Sequence, residues 1–128
     1  MKKHPVATLT SILFVIFGLV SCEKGPGEGG TSSIQGYVHV ADYQNGADYP
    51  GADYDVFLIY GDDVSFSERS RTSYNGKFEF KYLREGDYTV YVYSDDLSPS
   101  ETRAVIDRVS ITGKKQTVVT DTLFVDKY

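Results

Sequence analysis

The sequence predicts an all-β protein, folded as an antiparallel β-sandwich of about seven strands. Two observations support this prediction. Apolar and polar side chains alternate with a period of two along several short segments, and glycine, asparagine, aspartate and proline separate these segments at nearly regular intervals. Beyond residue 33, no segment shows the 3.6-residue apolar period of an amphipathic helix.

The clearest pair of strands lies in residues 75–93. Apolar side chains alternate with polar ones up to Tyr82, a break follows, and the alternation then resumes. Asn75-Gly76 and Gly86 stand at the turns, where we expect positive φ, a conformation that glycine adopts without a Cβ clash. The pattern predicts two half-buried antiparallel strands whose inward side chains are Phe78, Phe80, Leu83, Tyr88, Val90 and Val92.

Five other segments have strand patterns, namely residues 34–40, 56–60, 66–72, 102–111 and 117–125. The second is almost continuously apolar, which predicts a central strand covered on both faces, and the third is polar, which predicts an edge strand. The inward residues expected in the last two segments are Ala104, Ile106, Val109, Val119, Leu123 and Val125. Residues 42–55 are rich in turn-forming residues and are predicted to be a loop.

The N-terminus has the pattern of an export signal. Lys2 and Lys3 are followed by a mostly apolar run, and no further charge occurs before Glu23. The run suits a signal peptide better than a spanning helix, which needs roughly 20 strongly apolar residues. Residues 19–22, Leu-Val-Ser-Cys, resemble the lipobox of bacterial lipoproteins, in which the cysteine is lipidated and becomes the new N-terminus.

Cys22 is the only cysteine of the chain, so no intramolecular disulfide can form. The lipobox resemblance implies a signal peptide at residues 1–21 and a lipid on Cys22. The glycine-rich composition up to residue 33 predicts a flexible tether over 22–33, with the β-sandwich domain at 34–128. We expect the membrane to be the first partner, and the outer membrane of a Gram-negative bacterium to be the location, facing either the periplasm or the outside.

The charge balance argues against nucleic acid as a partner. Without Lys2 and Lys3 the chain has 11 basic and 18 acidic residues, a net charge of −7. An acidic surface repels phosphate backbones, and no cluster of lysines or arginines offsets it.

Several short motifs resemble the carboxypeptidase regulatory-like, transthyretin-like sandwich domains. They are residues 34–38 (Ile-Gln-Gly-Tyr-Val), 50–52 (Pro-Gly-Ala), 76–80 (Gly-Lys-Phe-Glu-Phe) and 83–92 (Leu-Arg-Glu-Gly-Asp-Tyr-Thr-Val-Tyr-Val). The resemblance covers most of residues 33–125 and implies an accessory, non-catalytic domain. One departure is the insertion of Asp53-Tyr54-Asp55 between Ala52 and Val56, where the family usually has a single residue.

Residues able to carry chemistry are few. His39 is the only histidine after processing, and a strand histidine that faces solvent or packs is the simpler interpretation than a catalytic one. We expect no cofactor and no zinc, because one histidine without a free thiol cannot form the usual ligand sets. Oxygen-rich loops offer calcium as an alternative, since six aspartates crowd two neighbouring loops: Asp42, Asp48, Asp53, Asp55, Asp62 and Asp63.

Tyrosines are the other candidates for recognition. Tyr37, Tyr91 and Tyr93 alternate away from the predicted core, so they are candidates for a partner-binding face. Packing across strands is the alternative role.

These observations favour a non-enzymatic, lipid-anchored binding or assembly module whose second partner is an envelope protein. A glycan is the alternative partner. The competing class is a polysaccharide-active enzyme that uses Asp53, Asp55, Asp62 and Asp63, and it requires two carboxyl groups about 5–9.5 Å apart.

The lipobox makes a direct prediction. Protein purified from membranes should begin at Cys22 and carry the mass of its acyl chains, each buried methylene of which adds ~0.8 kcal/mol of membrane affinity. Intact-mass spectrometry measures this. An unmodified Cys22 or a retained Met1 would contradict it.

Overall fold

The computed structural model describes residues 25–128, and within that range the chain is all-β, with strands and turns and no helix. Nine strands occur in this range: β1 (Glu28–Asp42), β2 (Ala47–Pro50), β3 (Asp55–Tyr60), β4 (Glu68–Arg71), β5 (Lys77–Leu83), β6 (Gly86–Asp95), β7 (Thr102–Ile111), β8 (Thr117–Val119) and β9 (Leu123–Lys127). They form two sheets, as the predicted sandwich requires.

The first sheet is built around β1. The first half of β1 pairs with β5 on one side and β8 on the other, and its second half pairs in the same way with β2 and β9. The pairs with β5 and β2 are antiparallel, and those with β8 and β9 are parallel. The 15-residue β1 therefore serves as the centre of a five-stranded sheet.

The second sheet has the order β4-β3-β6-β7 and is antiparallel throughout. The prediction of β3 as a central strand and β4 as an edge strand is confirmed. The outer face of β3 is less buried than predicted, because Phe57 and Ile59 are only half-buried there.

The core lies between the two sheets. All six inward residues predicted for the stretch 75–93 are buried, and so are Leu123 and Val125. The remaining core side chains come mainly from the alternation in β1 and β3: Ile34, Val38, Val40, Val56, Leu58 and Ile111. The predicted positive φ is confirmed at Gly76 and Gly86 but not at Asn75.

The predicted pair of strands in 75–93 does not form a hairpin. Strand β5 pairs with β1 in the first sheet, and β6 lies between β3 and β7 in the second. Tyr82 also departs from the predicted alternation. Its φ of 59° breaks the register one residue before the strand ends, so the Tyr82 ring points to solvent while Leu83 returns to the core.

The predicted tether is wrong for residues 28–33, which belong to β1. Glycine is required there by packing: a Cβ on Gly30 would lie 2.1 Å from the carbonyl oxygen of Leu83, so the composition reflects close backbone approach. The predicted loop 42–55 contains the short strand β2, and the predicted last strand divides into β8 and β9.

Three inward assignments, in two strands, are wrong by one residue. In β7, Ala104 and Ile106 face solvent, while Val105 and Val109 pack against the core. In β8, Val119 is exposed and Val118 is the packed residue. Apolar residues occur on both faces of β7, with Ile106 on one and Val105 and Val109 on the other, and Val118 and Val119 are adjacent in β8, so alternation alone did not fix the register.

A corner of polar contacts joins the sheets where the chain passes from β5 to β6. The hydroxyl of Tyr88 donates to the carbonyl of Arg84 at 2.7 Å and accepts the N–H of Gly27 at 2.9 Å. The guanidinium of Arg84 donates to the carbonyls of Gly25, at 2.8 Å, and Glu28. We call Gly25–Glu28 with Arg84 and Tyr88 the N-terminal clasp. It resembles the tyrosine corner of other sandwiches.

The predicted signal peptide and Cys22 lie outside the described residues. Within residues 25–128, no helix is long and apolar enough to cross a membrane.

The clasp predicts a specific loss of stability. Tyr88→Phe keeps the buried ring and leaves the Gly27 N–H and the Arg84 carbonyl without this partner, so the free energy of unfolding should fall by about 1–3 kcal/mol. The control is Tyr82→Phe, at an exposed ring, which should change it by less than about 0.5 kcal/mol. Urea unfolding measures both, and equal effects would contradict the role of the clasp.

Candidate functional site

Four aromatic side chains meet on the outer face of the second sheet. The ring of Phe57 lies 4.7 Å from that of Phe66, 5.0 Å from that of Tyr91 and 5.9 Å from that of Tyr93, measured between centroids. Tyr91 and Tyr93 are 5.6 Å apart. We call these four residues the aromatic patch. Such offset and edge-to-face geometry is favourable for aromatic pairs.

The local sequence explains why these rings meet. Val56 and Leu58 point into the core, so Phe57 must point outward from β3, directly opposite Tyr91 of β6. Phe66 comes from the loop after β3, which returns over the sheet because the N–H of Ser67 donates to the carbonyl of Leu58 at 2.9 Å. The patch is thus fixed by two strands and one tied loop.

The patch is open to solvent. Tyr93 is 51% exposed and Phe66 is 47% exposed, while Phe57 and Tyr91 lie half-buried between them. Burial, and to a smaller extent the neighbouring Tyr93, raise the pKa of Tyr91, so its phenol stays neutral in ordinary buffers. Neutral hydroxyls at the edge of an apolar platform can both donate and accept hydrogen bonds.

Strand register extends the patch into a row across the sheet. Arg69 of β4 is opposite Phe57, and Ile106 of β7 is opposite Tyr91. Ile106 is itself exposed, so the row presents a positive charge, two aromatic rings and an aliphatic side chain in sequence. Arg71 of β4 is paired with Asp55 at 3.3 Å.

The structure brings together two of the three predicted tyrosines. Tyr91 and Tyr93 are in the patch, but Tyr37 lies in β1, on the outer face of the other sheet. Phe57 and Phe66 were missed by sequence reasoning. Phe57 sits in an apolar run that suggested burial on both faces, and Phe66 precedes a polar strand, so only the tertiary pairing reveals them.

His39 occupies the outer face of the first sheet. It is half-buried, and its ring makes an edge contact with Phe124 at 5.8 Å. This is the packing role expected of a strand histidine.

The six aspartates offered as calcium ligands do not form a site. Within residues 25–128, no three His, Cys, Asp or Glu side chains come together closely enough to hold a metal ion. Asp48 and Asp53 are exposed before β3, while Asp62 and Asp63 follow its other end. Asp62 and Asp63 are separated by the length of β3 from the four aspartates at or before its start, so the two groups cannot share one ion.

The same separation bears on the predicted carboxylate enzyme. From Asp55 to Tyr60 the extended strand β3 covers roughly 17 Å, which exceeds the spacing needed for paired acid and base groups. Asp55 is also occupied by its ion pair with Arg71. No catalytic pair can therefore be formed between the two groups of aspartates.

Asp42 has a structural role at the end of β1. Its carboxylate is buried and accepts the hydroxyl of Tyr49 at 2.6 Å and the backbone N–H groups of Gln44 and Asn45 at 2.9 and 3.1 Å. Lys127 lies 3.8 Å away. The bond from Tyr49 is the main cause that lowers the Asp42 pKa to about 2, against the opposing effect of burial.

No protein-family model matches the chain, and a search of curated proteins found no match. Among solved structures, a candidate carbohydrate-binding protein from Pseudomonas aeruginosa is 19% identical, with a TM-score of 0.48 over 74% of this chain and 90% of that one. (S)-allantoin synthase is 15% identical, with a TM-score of 0.49 over 77% of this chain. The match spans 42% of the synthase. Neither likeness bears on the function of this chain.

The Asp42 network predicts acid sensitivity. Because the Asp42 pKa is lower in the folded state, its contribution to stability is complete above pH 3.8 and is lost as the pH falls toward about 2. Tyr49→Phe should flatten this part of the stability profile, measured by urea unfolding across the acid range. Asp48→Asn, an exposed carboxylate in the same region, is the control. An unchanged acid profile for Tyr49→Phe would contradict the assignment.

Proposed function

We propose that this chain is a lipid-anchored β-sandwich of the bacterial envelope that acts as a non-catalytic binding or assembly module, with the aromatic patch as its recognition surface. The observation that supports it is the patch itself. Four aromatic side chains are gathered on the outside of a four-stranded sheet whose inner face already supplies a complete core.

Exposed aromatic rings at the centre of a rigid face are typical of binding surfaces. Tyrosine and phenylalanine offer a large apolar area with few rotatable bonds, so little entropy is lost when they are covered. Both strands that carry the patch pair with neighbours on each side. A partner therefore meets a preformed surface.

A protein is the preferred partner. The row from Arg69 through the rings of Phe57 and Tyr91 to Ile106 mixes charged, aromatic and aliphatic side chains on one face of the sheet, the composition typical of the centre and rim of protein interfaces. A glycan stacked on the open rings of Tyr93 and Phe66 is the second candidate.

The anchor rests on the lipobox resemblance at residues 19–22 and the location on the export signal. The carboxypeptidase regulatory-like, transthyretin-like identity of the domain rests on the turn glycines and core residues quoted above, and the two-sheet architecture is compatible with it. The outer membrane of a Gram-negative cell is the proposed site.

The proposal predicts a selective loss of binding. The double variant Phe66→Ser, Tyr93→Ser removes the two most exposed rings of the patch and should weaken partner recovery about tenfold or more while folding stays cooperative. Quantitative pull-down from detergent-solubilised envelopes measures this.

The control is Tyr37→Ser on the opposite sheet, which should bind as the wild type does. If the double variant and the wild type recover equal amounts of partner, the aromatic patch is not the recognition surface. A different result would make a glycan the partner instead of a protein. In that case the wild type recovers no envelope protein but binds on a glycan array, and the double variant loses that binding.

A further inference from the structure

The N-terminal clasp fixes the point at which the described chain begins. Arg84 donates to the carbonyls of Gly25 and Glu28, and its own N–H donates to the carbonyl of Gly27 at 2.8 Å. Tyr88 accepts the N–H of Gly27. These bonds hold the three-residue lead into β1 against the corner between the sheets.

The clasp leaves little chain between the domain and Cys22. Three residue steps separate Cys22 from Gly25, and each step spans at most about 3.8 Å, so the two lie within about 11 Å of each other. A free tether to residue 33 would have reached about 17–20 Å on average and farther when extended. A lipid on Cys22 would therefore hold one particular end of the sandwich at the bilayer.

The neighbours of the clasp define that end. Pro26 lies against Gly61 and Gly86, where an added Cβ would come within 3.3 and 2.6 Å of its ring. The N–H of Lys115 donates to Thr31 at 3.0 Å, which brings in the turn before β8. We call this the clasp end, and it consists of residues 25–31, 61–65, 82–87 and 112–115.

Exposed side chains at the clasp end suit a lipid interface. Val64 is 98% exposed and Tyr82 is 69% exposed, and Lys114 and Lys115 are exposed on the adjoining turn. Tyrosine is enriched at membrane interfaces, and lysine can lay its apolar stem along them while its ammonium stays in water.

The backbone of the clasp end is strained at Tyr82. Its φ of 59° lies in the left-handed region, which costs a non-glycine residue free energy, and the result is that a large ring is turned out of β5 into solvent. The same backbone conformation returns Leu83 to the core. It leaves the Tyr82 ring exposed at the clasp end, where a surface could cover it.

Resting on the proposed lipidation of Cys22, we propose that the domain stands upright on the bilayer, with the clasp end seated in the lipid headgroup layer. Five exposed acidic residues lie at the same end, namely Glu28, Asp62, Asp63, Glu85 and Asp87, so the short anchor, not attraction to anionic lipid, drives the contact. Tyr91 lies five residues beyond Gly86 along β6, so the aromatic patch faces sideways roughly 17 Å above the clasp end.

The chain contains no tryptophan, which permits a direct test. Single variants Tyr82→Trp, at the clasp end, and Tyr43→Trp, just beyond the far end of β1, place probes roughly 40 Å apart along the domain. The acylated protein is reconstituted into phosphatidylcholine vesicles that contain a headgroup-nitroxide phospholipid. Quenching of Tyr82→Trp should exceed that of Tyr43→Trp about threefold or more, and equal quenching would overturn the proposal.

A spacer variant tests the role of the short anchor. Ten glycine and serine residues inserted between Lys24 and Gly25 leave the clasp intact and should lower quenching of Tyr82→Trp to the Tyr43→Trp level. Unchanged quenching would show that the short anchor does not cause the orientation of the domain. If the intact mass shows no lipid on Cys22, the proposed anchoring fails. Orientation is then measured on the same chain coupled through Cys22 to a maleimide phospholipid. Stronger quenching of Tyr82→Trp than of Tyr43→Trp would still support the orientation, and equal quenching would overturn it.

Discussion

The hydrogen bonds of Tyr88 and Arg84 are the contacts on which the rest of the structure depends. The chain leaves the first sheet at Leu83 and enters the second at Gly86, so only two residues join the two layers. The Tyr88 hydroxyl donates to the carbonyl of Arg84 and accepts the N–H of Gly27 in this corner. One side chain thereby ties the core of one sheet to the lead strand of the other.

This corner also connects stability with function. Because the interior is completed by aliphatic and aromatic residues between the sheets, the patch around Phe57 and Tyr91 is not needed to fill it. Because the clasp holds the lead into β1, an anchor at Cys22 would orient the whole domain. A partner of the patch would then approach parallel to the membrane, beside the domain and not from above it.

The sequence predicted what depends on local alternation and missed what depends on pairing. The core residues from Phe78 to Val92 follow from period two, since one face must be buried. The placement of β5 and β6 in separate sheets, the register of β7 and the exposure of Tyr82 are set by contacts distant in sequence. Glycines at the start of the domain suggested flexibility. Gly27, at φ 149°, is instead required by the clasp, and Gly30, inside β1, by its close approach to Leu83. The sequence predicted only the two tyrosines of the aromatic patch, because Phe57 meets Tyr91 only through strand register.

The most direct measurement of the clasp is amide hydrogen exchange at Gly27 and Arg84 by NMR. The N–H of Gly27 is bonded to Tyr88 and that of Arg84 to the carbonyl of Gly27. Both should exchange slowly, with protection approaching that of central amides of β6 such as Val90. Exchange at the rate of an unstructured peptide at Gly27 and Arg84, with β6 protected, would show that the lead into β1 is free and that the domain is not held at its anchor.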